Sequence, residues 1–496
     1  MNFVKASFDE VYNKRSRRNA PIAFASESKL ESDFIHYFWG TGYHLYTQLS
    51  LEMKYTAPQN IADARKSLEI IQRYTDLAYG CATKISGRLL EVQGERLHFY
   101  FDRNNDVPML QDIIRFCHVL MSAVYENKKY LGDEAFAGFK IAFDHGPAVI
   151  LESGVGSAMS FVSLGPCANN PAKRLSNVQA GQVSFPTKLA KTIFFDIDQR
   201  CPWYDLRLKN SVPREFSFWE DRGFFHNFSA EATTTVQRLY EPNSFDVTNY
   251  VITSNSAIQF DTAKLYQGFF MRADLHGFTA KVAEAFSSGQ DKKIKELLTD
   301  FSKVLAYGKS FIQKTERPIV EIPWAGDCAN MLLLAKTYES FEDARMYYPA
   351  IGPAEWLSGY KGKICQPFKG AKWLVSLCCG NQDVGNGFVL VGKITSPDHH
   401  FLFATGWGVG RSQDAQDIDG TNPNEVLISK EDYQELENTF QSEFHEENTN
   451  FMVSGTLKSL YADSMDNVPL LSVDEKAIQQ TSIIIPKARP YWDEKN

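Results

Sequence analysis

The chain has 496 residues, a formal net charge of -8 and 44% hydrophobic residues. That length exceeds one ordinary domain and suits two. The mild acidity excludes a nucleic-acid surface as the main business, since such surfaces are usually basic.

The start, MNFVKASFDEVYNKRSRRN, is charged throughout and has no apolar core of a signal peptide. No stretch approaches the ~18 apolar residues of a membrane span. Eight cysteines in so long a chain give no disulfide framework, and no CxxC pair has zinc spacing. The expectation is a reduced, cytoplasmic protein.

Residues 1–43 are left as an N-terminal extension. Ile61 to Ile85 has helical period, with Leu68, Ile71, Tyr74, Leu77 and Ala78 recurring on one face. Leu89 to Phe101 alternates apolar and polar residues on both sides of Gly94, the pattern of two antiparallel strands around a tight turn. Val107 to Tyr125 reads as a helix, and Gly138 to Gly146 as a strand running into a turn. Cys201 to Asp261 is irregular and aromatic, with Pro202, Pro213 and Pro242, and is expected as a connector packed on the domains. The order then recurs. Gly268 to Asp274 is a strand, Thr279 to Phe286 opens a helix, and Arg317 to Leu334 holds a strand and a turn at Gly326-Asp327. Trp373 to Cys379 and Gly387 to Ile394 are strands, with Cys378 and Cys379 as core residues. Residues 444–496 are left as a C-terminal extension. The fold class expected is α+β, with helices on one face of a mainly antiparallel sheet, formed twice, over 44–200 and 262–443.

Two places carry the chemistry. In Ala273-Asp274-Leu275-His276-Gly277-Phe278-Thr279 an apolar strand ends in an Asp and turns into a helix, a position suited to phosphates and their metal ions. In Trp324-Ala325-Gly326-Asp327 an Asp stands at a hairpin tip. Two carboxylates on adjacent strands can hold two divalent ions that bridge a triphosphate. Either Asp alone reads as a turn cap; the two in this order carry more.

The stretch Phe269 to Thr279 resembles the first metal-binding strand of class III adenylyl and guanylyl cyclases, and Gly326-Asp327 resembles their second metal site. The resemblance implies two Mg2+ or Mn2+ ions on Asp274, Asp327 and the backbone carbonyl of Leu275. In the first half, Ile141 to Gly146 and Gly165 to Leu175 resemble the family's G-I-H-x-G strand and its Asn/Arg helix. This implies that Asn170 orients the ribose and that Arg174 meets charge on the transferring phosphate. The departures are complementary. The first half offers only Leu51 or Glu52 and Glu95 at the metal positions. The second half has Gly410 and Asp414 where Asn and Arg are expected. The resemblance therefore implies two ferredoxin-like or palm-like cyclase domains forming an internal pseudo-heterodimer, with one working site and one dead one.

The implied reaction is attack of the ribose 3′-hydroxyl on the α-phosphate with loss of pyrophosphate. The base-reading positions of the family fall on Glu91 and Ser163. The adenine-reading residues are absent, and a carboxylate can accept from guanine or from the N3-H of uracil. With no sensory or membrane domain detected, the chain is similar to the bacterial pyrimidine cyclases of Pycsar anti-phage defence. This implies UTP as substrate, cyclic UMP as product and a separate effector as its target. A monomer with an internal pseudo-dimer, or a homodimer, is expected. A guanylyl or cytidylate cyclase is the alternative, and an inactive nucleotide-binding scaffold is the alternative from another class. A diguanylate cyclase is disfavoured, since no GG[DE]EF-like hairpin is present.

Overall fold

A computed structural model describes residues 2–15, 34–207 and 263–455, apart from short stretches of which 154–159, 194–199 and 380–386 are the longest. Most of the expected connector and most of the C-terminal extension lie outside the described residues.

The first half holds β1 (Asn2–Lys5), β2 (Phe34–Leu51), β3 (Arg88–Gln93), β4 (Arg96–Phe101), β5 (Phe136–Ser153), β6 (Ser160–Leu164), β7 (Gln182–Pro186) and β8 (Trp203–Arg207). Six of these run in the order β3-β4-β2-β5-β7-β8, with β1 on β2 and β6 on β5. The second half holds β9 (Ala263–Gln267), β10 (Phe269–Leu275), β11 (Ile319–Glu321), β12 (Ala329–Leu333), β13 (Trp373–Cys378), β14 (Phe388–Thr395), β15 (His400–Thr405), β16 (Val426–Ser429), β17 (His445–Glu446) and β18 (Phe451–Ser454). Its main sheet runs β11-β12-β10-β13-β16-β18-β17, and β15-β14-β9 form a smaller one. The two main orders match strand for strand through the sixth position. In both, the β5–β7 and β13–β16 contacts are parallel and their neighbours antiparallel. The α+β expectation holds. β8 falls in what the sequence suggested as connector, and β17 and β18 fall in what it left as extension.

The Ile61–Thr83 and Val107–Glu126 helices cover the first sheet where their periodicity predicts. The expected turn at Gly146 does not exist, because β5 continues to Ser153 opposite β2. Glycine is needed there for a different reason: a Cβ at Gly146 would come within 3.2 Å of the Cys167 Cβ on the helix above. Beyond this point each half sends an arm into the other. Val149, Leu151, Val162 and Leu164 of the first half join the core built around Phe286, Leu298 and Trp373. Leu390, Ile394, Phe401 and Phe403 of the second half join Leu68, Ile71 and Leu77 in the first core. Fully burying one such side chain stabilises by about 1.5–3 kcal/mol, so the exchange ties the halves together. Cys378 and Cys379 are fully buried, as expected.

Candidate functional site

Asp274 is the penultimate residue of β10, opposite Leu374 on β13. The strand FFMRADL is apolar except for Arg272 and Asp274, which point to one face two residues apart. Asp327 sits in the tight turn that leads to β12. Ala325 and Cys328 exchange backbone hydrogen bonds of 3.1 and 3.0 Å around it, and Gly326 supplies the left-handed φ of 65°. β10 pairs with β12, so the turn lies beside the end of β10 and the two carboxylates face one another. Burial pushes the Asp327 carboxyl well above its ordinary range, and the neighbouring Asp274 adds to this. Burial also raises Asp274, against the pull of Arg272, Lys173 and His276.

The cation that reaches both carboxylates from the other half is Lys173. It lies on the Pro166–Leu175 helix, between the two residues singled out from sequence. This helix packs on β5 and β2 and touches the Phe278–Ser288 helix that follows Asp274. The juxtaposition is thus between halves. Asn170 on this helix is exposed. Arg174 is engaged within its own half: its Nε donates to Ser184 Oγ at 3.0 Å and its Nη2 to both oxygens of Asp205 at 2.8 and 2.6 Å. Lys173 and Asp205 were missed in the sequence. Lys173 leaves a trace there, as a second cation beside Arg174; Asp205 leaves none, because its role depends on β8 pairing with β7.

Glu91, on β3, is buried and accepts a 2.5 Å hydrogen bond from Gln93 Nε2. Ser163, on β6, has a buried hydroxyl that finds no hydrogen-bond partner among the described residues. Glu95 stands in the β3–β4 turn, the counterpart of Asp327, and burial pushes its carboxyl up to about 7. The Trp407–Gln416 helix carries Gly410 and Asp414. Glu95, Gly410 and Asp414 line one cavity. These three residues meet between the halves, and neither Leu51 nor Glu52 is among the residues that line this cavity.

Two facing carboxylates, each raised by burial and one by the other, form a pair that a cation would relieve. A divalent ion held by one or two carboxylates and by substrate phosphates needs no larger protein cage. The donor set fits Mg2+ or Mn2+. Among the described residues no group of three or more His, Cys, Asp or Glu side chains gathers as a metal site.

The fold is that of class III cyclase domains. A class III adenylyl cyclase-like ATP-binding protein from Pseudomonas aeruginosa superimposes with a TM-score of 0.61 at 13% identity, over 92% of this chain and 94% of that one. Single cyclase domains match in part. The adenylyl cyclase CyaB from P. aeruginosa aligns at 12% identity over 32% of this chain and 86% of its own, with a TM-score of 0.26. A guanylyl cyclase domain from the fungus Blastocladiella emersonii aligns at 12% identity over 35% and 96%, with a TM-score of 0.28. No family model matches the chain, and no curated protein matches it in sequence. Among the described residues no helix is long and apolar enough to cross a membrane.

Proposed function

We propose that this chain is a class III nucleotide cyclase that converts a nucleoside triphosphate to a 3′,5′-cyclic nucleotide and pyrophosphate. The observation that carries the reading is the carboxylate pair Asp274 and Asp327, faced from the other half by the Pro166–Leu175 helix. Asp274, Asp327 and the Leu275 carbonyl would hold divalent ions, which supply Lewis-acid stabilisation of the triphosphate and the attacking oxygen. The chain's own residues bind and orient. Asn170 positions the ribose so that its 3′-oxygen lies in line with the α-phosphorus. Lys173 offsets charge on the polyphosphate beside the carboxylates. Arg174, once released from Asp205, meets the charge that builds on the α-phosphoryl oxygens as the new P–O bond forms and the bridging bond to pyrophosphate breaks.

For the base, Glu91 is the acceptor and Ser163 its small neighbour. The absence of an adenine-reading pair supports uracil, giving cyclic UMP as a messenger in anti-phage defence, with guanine as the competing base. A second reading is a nucleotide-binding protein without turnover. It is favoured by the description of the similar P. aeruginosa protein as ATP-binding and by the capture of Arg174 on Asp205. Incubating the protein with Mn2+ and each of ATP, GTP, CTP and UTP, with product identification by mass spectrometry, separates these readings. Cyclic UMP as main product supports the uridylate assignment. Cyclic GMP replaces the base and keeps the mechanism. Bound but unconverted nucleotide supports the second reading.

A further inference from the structure

Glu91 stands where it does because of an irregularity in β3. Leu89 and Val92 both lie in the core with the Ile61–Thr83 and Val107–Glu126 helices. Strict alternation would put Glu91, two residues after Leu89, on that same apolar side. Instead the register shifts between Leu89 and Glu91, so that Leu89 opposes Phe99 and Glu91 opposes His98. The bulge turns Glu91 to the other face of the sheet, where Leu175 and Val178 pack with Tyr46 and Ala142. The bulge is also held from outside. Leu90 packs with Phe8, Val11 and Tyr12 of the Phe8–Arg15 helix, and the Tyr12 hydroxyl donates to the Leu89 carbonyl at 3.4 Å.

On that face Glu91, His98 and Tyr46 form one row across β3, β4 and β2. The His98 ring lies flat on Tyr46, with 4.1 Å between centroids and 10° between planes. His98 Nε2 shares a 3.0 Å hydrogen bond with His44 Nδ1. Burial holds both imidazoles neutral, with His44 pushed down to about 3, so one proton lies between them. His44 Nε2 is buried and finds no partner among the described residues. A buried N–H without a partner is rarer than a bare lone pair. His44 Nδ1–H is therefore the donor, and His98 carries its own proton on Nδ1. Residues directly opposite on paired strands have Cβ atoms about 5 Å apart, which puts Glu91 within reach of that N–H. Gln93 Nε2 donates to Glu91 at 2.5 Å. Glu91 keeps 9% of its surface open and His98 2%, so the carboxylate meets a nucleotide and the imidazole acts through it.

We propose that His98, clamped by Tyr46 and His44, is a positioning residue that holds Glu91 toward the base as an acceptor, so that the site selects bases with a ring N–H, uracil or guanine, over cytosine and adenine. This rests on the cyclase reading, which puts Glu91 beside the base. A carboxylate accepts from uracil N3–H or guanine N1–H and is repelled by the lone pairs of cytosine N3 and adenine N1. A carboxylate free to swing away would lose that discrimination while the triphosphate still bound. His98 therefore governs which base is read, and the carboxylates and cations across the cleft govern turnover.

The test uses the full chain with Mn2+ and methylene-bridged, non-cyclisable analogues of UTP, GTP, CTP and ATP, titrated by calorimetry. Wild type should bind the better of the uracil and guanine analogues about 10-fold or more tightly than the cytosine and adenine ones. His98→Gln, whose amide stands in for Nε2, should lose that preference while keeping the wild-type circular dichroism spectrum. His98→Asn, whose amide stands in for Nδ1, should keep it to within about threefold. Glu91→Gln should also lose it, and adding His98→Gln to Glu91→Gln should cost nothing further. Where His98→Gln does not fold, Tyr46→Leu, which removes the stacked ring, reads the same loss. In turnover, His98→Gln should raise KM for the preferred nucleotide about 10-fold with kcat changed less than about threefold. A merely structural histidine would weaken all four nucleotides alike. An unchanged preference in folded His98→Gln, additive losses in the double variant, or a wild type that prefers cytosine or adenine overturns the positioning role. Failure of the cyclase reading looks different: the preference and its loss in His98→Gln persist, with no cyclic product from any triphosphate. Binding of none of the four overturns both.

Discussion

Arg174 donates to both carboxylate oxygens of Asp205, one residue along the helix from the lysine whose charge reaches Asp274 and Asp327. The guanidinium is held at the edge of its own sheet and also lies over the Trp203 ring at 6.0 Å. A partly exposed ion pair of this kind contributes at most about 1 kcal/mol, which a phosphate can replace. Arg174→Ala is expected to lower cyclic-nucleotide formation about 100-fold or more. Asp205→Ala should keep or raise it, with a melting temperature lowered by no more than about 2–4 °C. Steady-state assays with Mn2+ check both. A loss in Asp205→Ala equal to that in Arg174→Ala would make Asp205 part of the site itself.

Removing one charge from the buried pair acts in opposite directions on stability and activity. Asp327→Asn is expected to melt at or above the wild-type temperature without metal, because repulsion from Asp274 is gone. The same variant should lose the Mn2+-induced rise in melting temperature and all measurable turnover. Thermal scans with and without Mn2+ decide it. A variant with near-wild-type turnover would remove the metal assignment.

The arms exchanged between halves place both sides of the site in one chain. Asp327→Ala and Arg174→Ala proteins, each inactive, are therefore expected to stay inactive when mixed. Recovered activity in the mixture would mean that sites form between chains.

Glu95 supplies a pH dependence away from the carboxylate pair. Burial raises its pKa from 4.5 to about 7. The folded state then holds the proton more tightly than the unfolded state. Its contribution is intact below 4.5 and is lost as pH rises toward 7. Glu95→Gln should flatten that decline and be more stable than wild type at pH 7.5 by at most about 3 kcal/mol. Urea unfolding at pH 4.5 and 7.5 measures the difference, and parallel pH profiles for the two proteins would contradict the burial effect.

Local signals were legible where local chemistry decides. The alternation around Gly94 found a hairpin, and the apolar strand ending at Asp274 found the carboxylate at its end. Gly326-Asp327 announced its turn because only a left-handed residue closes it. Gly146 misled, since a glycine that admits a neighbouring helix looks in sequence like a glycine that turns a chain. Arg272 had a signal that went unread: a charge in an otherwise apolar strand. Asp205 had none, because its partner lies 31 residues away on a helix that only the folded sheet brings near.

The arms also set an order of events in synthesis. The last described strand of the first sheet runs to Arg207, yet its core is closed by Phe401 and Phe403. At ~5–20 residues per second, a nascent first half waits about ten seconds or more for those side chains to emerge. During that interval the apolar faces of Leu68, Ile71 and Leu77 lack part of their cover. The protein's yield in a cell should therefore depend on holding chaperones at the ribosome exit more than its final stability would suggest.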